Sequence, residues 1–489
     1  MSNLKTAVNG MAWTTVSTVV RSLVSMLQVA ILTRFLEKSD FGIVAIATLF
    51  IGFIQIFLDL GLSVGIMHKQ NTTKKEYSSL FWLNIISGVL LTALLLALSP
   101  LIASYYNEPS LTAILSVLSF SMFFSSLGSQ HRTIQQKLMR FKTISIVEII
   151  ASLTTIIVAV GLAVGGWGVY SLVLSTLYNF AVTNIIFLII GLKLDNNITL
   201  HFSIADTYPY LKIGVYSLGT QILDYLSREL DVIIISTTLG KETLGVYSLC
   251  KRLILSLYYA VNPILMKVMT PMLATIQDDI PKLKSIYYRI VESLALVNYP
   301  IYGAVAVFSF SILNILYGSS YTDSYRILGL LALYYGYLTT GNPVGALQTA
   351  LGRTDTGFYW TICRIIIYSV SLYVGSRFGN IEIMLLVIIV VNLLVAPLSW
   401  RITIKPLIGG EFWEYFKIGL YPLIGILLFS APFYFLFAEQ ACLPICVLAG
   451  CTYLLSYLLL LYRYDRDAYV VNLLLSTISK KISHDKNKC

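Results

Sequence analysis

The sequence predicts an all-α polytopic membrane protein of about fourteen transmembrane helices, arranged as two six-helix lobes in a parallel pseudo-twofold repeat with two extra C-terminal helices. Composition, the succession of apolar segments and an internal repeat predict it. Hydrophobic residues fill 57% of the 489 positions and charged residues only 12%, with a mean hydropathy of +0.78, far outside the range of soluble domains. A helical span needs about 20 predominantly apolar residues. Such segments follow one another almost end to end, at 10–35, 41–66, 79–102, 110–131, 143–164, 168–192, 213–238, 244–270, 289–316, 325–349, 356–376, 380–400, 415–437 and 441–462.

Grouped by the repeat described below, these spans give a first lobe over 1–192, an interlobe connection at 193–212, a second lobe over 213–402, the two extra helices within 403–464 and a tail at 465–489. Only Lys5 precedes the first span and no small-residue cleavage site follows it, so it reads as an uncleaved helix and not a signal peptide. If the N-terminus is cytoplasmic, 24 of the 34 Lys and Arg residues fall on cytoplasmic segments, and only Arg34, Lys38, Lys241, Arg326 and Arg377 lie near the other face. That asymmetry places both termini inside. It also accounts for the net charge of +10 through loops beside anionic membrane lipids, with no basic pattern suited to nucleic acid.

Arg21, Arg228, Lys251, Arg252 and Arg364 remain, all within spans. A charge at a helix centre costs roughly 2.5 to 3.5 kcal/mol to insert, so the run Asp224-Tyr-Leu-Ser-Arg228-Glu229-Leu-Asp231 must face something other than lipid. Ser217, Gln221, Asp224, Arg228 and Asp231 are spaced to share one stripe of the seventh span, with Glu229 off it, and Thr14, Thr18, Arg21, Ser25 and Gln28 form a similar stripe on the first. An offset of 203 residues superposes the two stripes. The same offset aligns Leu36, Lys38 and Gly42 with Leu239, Lys241 and Gly245, and Thr48, Gln55 and Asp59 with Lys251, Tyr258 and Asn262. Six spans separate the copies, so both halves run in the same direction, as in parallel-repeat transporters. Four helices then carry polar edges toward a shared cleft.

Leu32–Gly42 (LTRFLEKSDFG), Phe57–Ser63 (FLDLGLS), Phe81–Asn84 (FWLN), Phe141–Glu148 (FKTISIVE) and Gly165–Leu172 (GGWGVYSL) occur in that order. Through them the chain resembles the Wzx-type polysaccharide and O-antigen translocases of the multidrug/oligosaccharidyl-lipid/polysaccharide exporter superfamily, in particular the colanic-acid branch. Glu37, Lys38 and Ser39 stand where members often carry a proline. The resemblance implies a flippase that moves an undecaprenyl-pyrophosphate-linked oligosaccharide to the outer leaflet of a bacterial inner membrane for surface polysaccharide synthesis, alongside a polymerase and chain-length proteins. Such a substrate needs a cationic partner for its diphosphate, and the planar fork of Arg binds phosphate oxygens bidentately. Arg21 and Arg228 lead, followed by Lys251, Arg252 and Arg364, while Gln28, Gln55, Gln221, Tyr258 and Asn262 supply the polar and aromatic groups that sugars engage.

Other roles stand beside these. At i, i+4, Asp224 and Arg228 are spaced to neutralise each other. Lys251 and Arg252 begin seven residues into the eighth span, close enough to the outer interface for one to snorkel. Arg364 could pair with backbone carbonyls. Asp59, Glu148, Asp224 and Asp231 are the groups able to couple an ion, although Glu148 could also be a solvated helix end. Pro263, Pro271, Pro300 and Asn342-Pro343 predict kinks.

Catalysis finds little support. His68, His131, His201 and His484 are scattered, Cys442, Cys446 and Cys451 read as apolar thiols, and no Walker A pattern occurs. No cofactor is expected. Outer loops are mostly a few residues long, and the longest polar connections are 193–212 and 277–288, both inside. A cation/drug antiporter would favour carboxylates in the cleft and twelve spans, and a membrane glycosyltransferase or ligase would need a larger outer loop.

Overall fold

The computed structural model describes residues 2–69, 71–194, 198–437 and 443–464, with some side chains inside those helices left out, Asn262 and Pro263 among them. The described chain is helical: α1 (Ser2–Leu32), α2 (Lys38–Asp59), α3 (Leu62–His68), α4 (Lys74–Tyr105), α5 (Ser110–Lys137), α6 (Phe141–Val164), α7 (Tyr170–Leu194), α8 (Ile204–Thr238), α9 (Gly240–Ala274), α10 (Ile280–Val307), α11 (Ser309–Leu316), α12 (Tyr325–Gly341), α13 (Pro343–Ala350), α14 (Thr354–Ser376), α15 (Ile381–Thr403), α16 (Lys405–Ile408), α17 (Phe412–Phe437) and α18 (Leu443–Tyr464). Ten of the described helices are long and apolar enough to cross a membrane. The chain is a multi-pass membrane protein. The expected spans at 213–238, 244–270, 325–349 and 441–462 fall on α8, α9, α12 with α13, and α18, which lie outside those ten. The 465–489 tail, with His484, and Cys442 lie outside the described residues.

Several boundaries differ from the sequence reading. The connection expected at 193–212 is shorter, because α8 begins at Ile204, where Asp206 in the first turn suits the positive end of the helix. The polar segment at 277–288 is largely the first turns of α10, capped by Asp279 on the Lys282 N–H and started by a proline at its first turn. The span expected at 41–66 breaks into α2 and α3, where Leu60 (φ 46°) and Gly61 (φ 70°) are both left-handed. A left-handed non-glycine residue costs about 1–2 kcal/mol. Asp59 supports the break by accepting from the Ser63 N–H at 3.2 Å and the Ser63 hydroxyl at 2.5 Å. The expected kink at Asn342-Pro343 separates α12 from α13, whereas α10 runs through Pro300 and breaks later, at Phe308.

Two compact units follow from the packing: residues 1–256 with 372–381, and residues 257–371 with 382–489. Their boundary at Ser256 falls inside α9, so the first unit holds α1 to α8 and the first half of α9. In the second unit, Leu283, Tyr287, Leu347 and Ile404 are buried in one cluster, and Tyr299, Phe308 and Tyr453 in another.

Inside the first unit the repeat appears as a physical contact. A Cβ on Gly42 of α2 would fall onto the carbonyl oxygen of Lys241, and a Cβ on Gly245 of α9 would fall onto the carbonyl oxygen of Lys38. Both pairs are related by the 203-residue offset, so the starts of α2 and α9 cross reciprocally with no room for a side chain. Just past the other end of α2, a Cβ on Gly61 would fall onto the Cα of Gly214 in α8, again with no room for a side chain. Glycine is required at these positions for backbone approach. Gly245→Ala and Gly61→Ala should each lower stability by roughly 1–3 kcal/mol, the usual cost of overpacking. Gly161→Ala, at a position in α6 that meets nothing within 4 Å, should leave stability unchanged or raise it by about 0.5–1 kcal/mol; thermal unfolding of the three purified variants checks the contrast.

Candidate functional site

The densest charge cluster lies between α8 and α9. Lys251, 7% exposed, sits on the face of α9 that packs against α8. Its ammonium donates to Asp231 Oδ1 at 2.9 Å, to the Arg228 carbonyl oxygen at 3.0 Å and to Glu229 at 3.4 Å. Asp231, 4% exposed, also accepts from the hydroxyl of Tyr247 and, at 2.8 Å, from the Val232 N–H. One cation thus stands between two carboxylates. Of the two cations near the start of α9, Lys251 is buried and Arg252 exposed, and Glu229, off the polar stripe, joins the cluster through Lys251. The Lys251 ammonium has three acceptors within the protein.

Arg228 and Asp224 lie on the exposed side of α8. The mutual ion pair that their spacing allows does not form, and among the described residues no acidic group lies within 4 Å of the Arg228 guanidinium. Gln221 donates along its own helix to Ser217 at 3.1 Å. Next to it, Tyr225 donates to the Leu49 carbonyl of α2 at 2.7 Å and fixes α8 against α2.

Arg21 of α1 pairs with Glu148 of α6 at 2.7 Å, and Arg132 of α5 reaches the other carboxylate oxygen at 2.8 and 3.2 Å. Glu148 is therefore neither a bare carboxylate nor a solvated end. Arg252 of α9 donates twice to the Ser25 hydroxyl of α1, at 3.1 and 2.5 Å, which joins α1 to the repeat counterpart of α2. The amides of Gln28 and Gln55 reach Ser175 of α7 at 3.4 Å and Ser125 of α5 at 3.3 Å, so both contribute to packing inside the unit. Asp59, a candidate for ion coupling, serves the α2–α3 break.

In the second unit, Tyr258 donates to Asn342 at 3.3 Å, beside the α12–α13 break, and Arg364 is an exposed residue of α14 whose charge acts on Tyr258. The side chain of Asn262 lies outside the described residues. No group of three or more metal-ligating side chains occurs among the described residues.

Sequence reasoning missed Tyr247, Glu229 and Arg132. Tyr247 had a signal, since it stands four residues before Lys251 on the same face of α9. Arg132 had none beyond its place near the end of α5, because its partner is 16 residues away on another helix.

The model of the family described as "Polysaccharide biosynthesis protein" matches residues 31–326. The chain is 26% identical over 419 residues to the lipopolysaccharide biosynthesis protein WzxC of Escherichia coli (strain K12), covering 85% of this chain and 84% of that protein. It is 26% identical over 478 residues to the teichuronic acid biosynthesis protein TuaB of Bacillus subtilis (strain 168), covering 94% and 96%. Its fold is similar to that of the lipid II flippase MurJ in an inward closed conformation, with a TM-score of 0.70 at 16% identity over 93% of this chain and 99% of that one. That likeness concerns the fold alone.

Removing the cation from the α8–α9 cluster leaves two carboxylates uncompensated. Lys251→Met should cost about 3–5 kcal/mol and lower the melting temperature of the detergent-solubilised protein. Combining it with Asp231→Asn and Glu229→Gln should recover most of that loss; a triple variant no more stable than the single one would mean that the cluster is not a neutralising pair.

Proposed function

The chain belongs to the polysaccharide biosynthesis protein family, and from that premise we propose that it is a flippase for undecaprenyl-pyrophosphate-linked oligosaccharide. It works in a bacterial inner membrane with both termini cytoplasmic, supplying repeat units to a surface-polysaccharide polymerase and its chain-length partners. The relatives' names place them in lipopolysaccharide and teichuronic acid synthesis, and the structural neighbour is named as a flippase of a lipid-linked substrate.

One observation carries the reading. Lys251 is held by two carboxylates inside the first unit, Arg21 by Glu148 and Arg252 by the Ser25 hydroxyl, while Arg228 stands exposed on α8 with no ion-pair partner among the described residues. A guanidinium held at membrane depth and left without a carboxylate is a ready partner for a diphosphate, which it can grip with two parallel N–H donors. Gln221 lies on the same helix, two turns before it, and offers an amide to sugar hydroxyls. The two glycine contacts of α2 supply the moving part in this reading. Parting Gly42 from Gly245 opens the outer end of the pair of repeats, and parting Gly61 from Gly214 opens the inner end. Backbone contacts without side chains can separate and re-form with little repacking.

Transport is tested in proteoliposomes, with a fluorescent lipid-diphosphate oligosaccharide whose leaflet is read by a membrane-impermeant quencher. Wild-type protein should move the lipid. Arg228→Ala should slow movement at least tenfold, a loss of about 1.4 kcal/mol or more, and Arg228→Lys should be slowed less because it keeps the charge. No movement by wild-type protein under any ion gradient, together with exchange of an organic cation for protons or sodium, would replace this reading with a cation antiporter.

A further inference from the structure

Glu148 is the point where three helices meet electrostatically. It is itself only 11% exposed, yet the arginines that hold it, Arg21 and Arg132, are 49% and 46% exposed. The carboxylate is thus sunk between two guanidiniums whose outer faces stay open. It lies seven residues into α6, about 10 Å along that helix, and Arg132 lies five residues before the end of α5. Both helix ends belong to the side carrying most of the basic loops. The group therefore sits in the cytoplasmic half of the membrane.

Two guanidiniums and one carboxylate leave a net charge of +1, and each planar fork can accept a second anion bidentately. A structural ion pair needs one cation for its carboxylate. The second arginine comes from a different helix, α5, and binds the same carboxylate at a separate oxygen, Oε1, against Oε2 for Arg21. This is the geometry of two donors spread around an anion, with Glu148 as the anion.

We propose that Arg21, Arg132 and Glu148 form a phosphate station in which Glu148 is a displaceable stand-in. A diphosphate or phosphate monoester entering from the cytoplasmic leaflet takes the two guanidiniums, and Glu148 retakes them when the ligand leaves. Arg132 becomes a substrate ligand and Glu148 sets how easily the anion departs. The assignment rests on the lipid-diphosphate reading above and adds a first binding place for the headgroup, distinct from Arg228. Bringing a phosphate and the Glu148 carboxylate together in a half-exposed site sets like charges side by side and is unfavourable, so occupation by ligand and by Glu148 exclude each other.

The test is binding of farnesyl diphosphate, a short polyprenyl diphosphate, to the full chain in nanodiscs at physiological salt. Measured in an Arg228→Ala background, the anion is read at this station. Glu148→Gln should tighten binding about tenfold, by removing a competing anion, and Arg132→Ala should weaken it about tenfold. A folded Glu148→Gln protein that binds the probe no better, or an Arg132→Ala protein that binds it as well, overturns the proposal. If Glu148→Gln does not purify as a monodisperse protein, Arg132→Lys carries the test: it must bind more weakly than the parent and more tightly than Arg132→Ala, and three equal affinities overturn the station. Inorganic phosphate serves as a second probe, since equal variant effects with it assign the recognition to the phosphate and not the prenyl chain. The expected binding pattern without any lipid movement in proteoliposomes would keep the station and remove the flippase reading. Movement of lipid without the binding pattern would do the reverse.

Discussion

The cost of a bare charge within the membrane governs this structure. Among the described residues, the cations within the expected spans on α1 and α9 are neutralised or hydrogen-bonded by a neighbouring helix: Lys251 by Asp231 and Glu229, Arg21 by Glu148, Arg252 by Ser25. The penalty for leaving any of them alone, roughly 2.5 to 3.5 kcal/mol on insertion scales, is comparable to a large share of a domain's net stability. These pairs therefore decide which helices must touch: α8 with α9, α1 with α6 and α5, and α1 with α9. Arg228 is the exception, and the functional reading depends on it.

Glycine sets the second constraint. The same repeat that places polar stripes on α1 and α8 places Gly42 and Gly245 where α2 and α9 cross, and each lies against the other helix's first-turn carbonyl. Such a crossing has no side chains to interlock. It is closed by backbone proximity and framed by charge, since Lys241 pairs with Glu108 beside it. At the far end of α2 the break at Leu60-Gly61 lets α8 come close at Gly214. One helix is thus pinned at both ends by contacts that cost little to part, a suitable arrangement for an element that must move.

Much of this was legible in the sequence because periodicity and offset are properties of the chain alone. The 203-residue repeat, found from Leu36, Lys38 and Gly42, aligned polar stripes along the chain, while the backbone contact between Gly42 and Gly245 at repeat-related positions came from the structure. The all-α membrane class and the family followed from composition and ordered motifs. What the sequence could not show was partner choice across helices. Asp224 and Arg228, four residues apart, looked like a pair, yet the exposed face of α8 keeps them unpaired while Asp231, one turn on, turns inward to Lys251. Arg132 looked like one more cytoplasmic charge until α6 brought Glu148 to it. The breaks at Leu60-Gly61 and Phe308 escaped for a related reason: neither Leu60 nor Phe308 is itself a helix breaker, and the first break depends on the local bond of Asp59 with Ser63 together with the close approach of α8.

The central claim is that a lipid-borne diphosphate engages Arg228. The most direct measurement is a cryo-electron microscopy structure of the full chain in nanodiscs with an undecaprenyl-diphosphate-linked oligosaccharide bound. The account predicts diphosphate density within ion-pair distance of the Arg228 guanidinium, with Lys251 still on Asp231. Diphosphate bound elsewhere while Arg228 contacts only protein or lipid tails would contradict it.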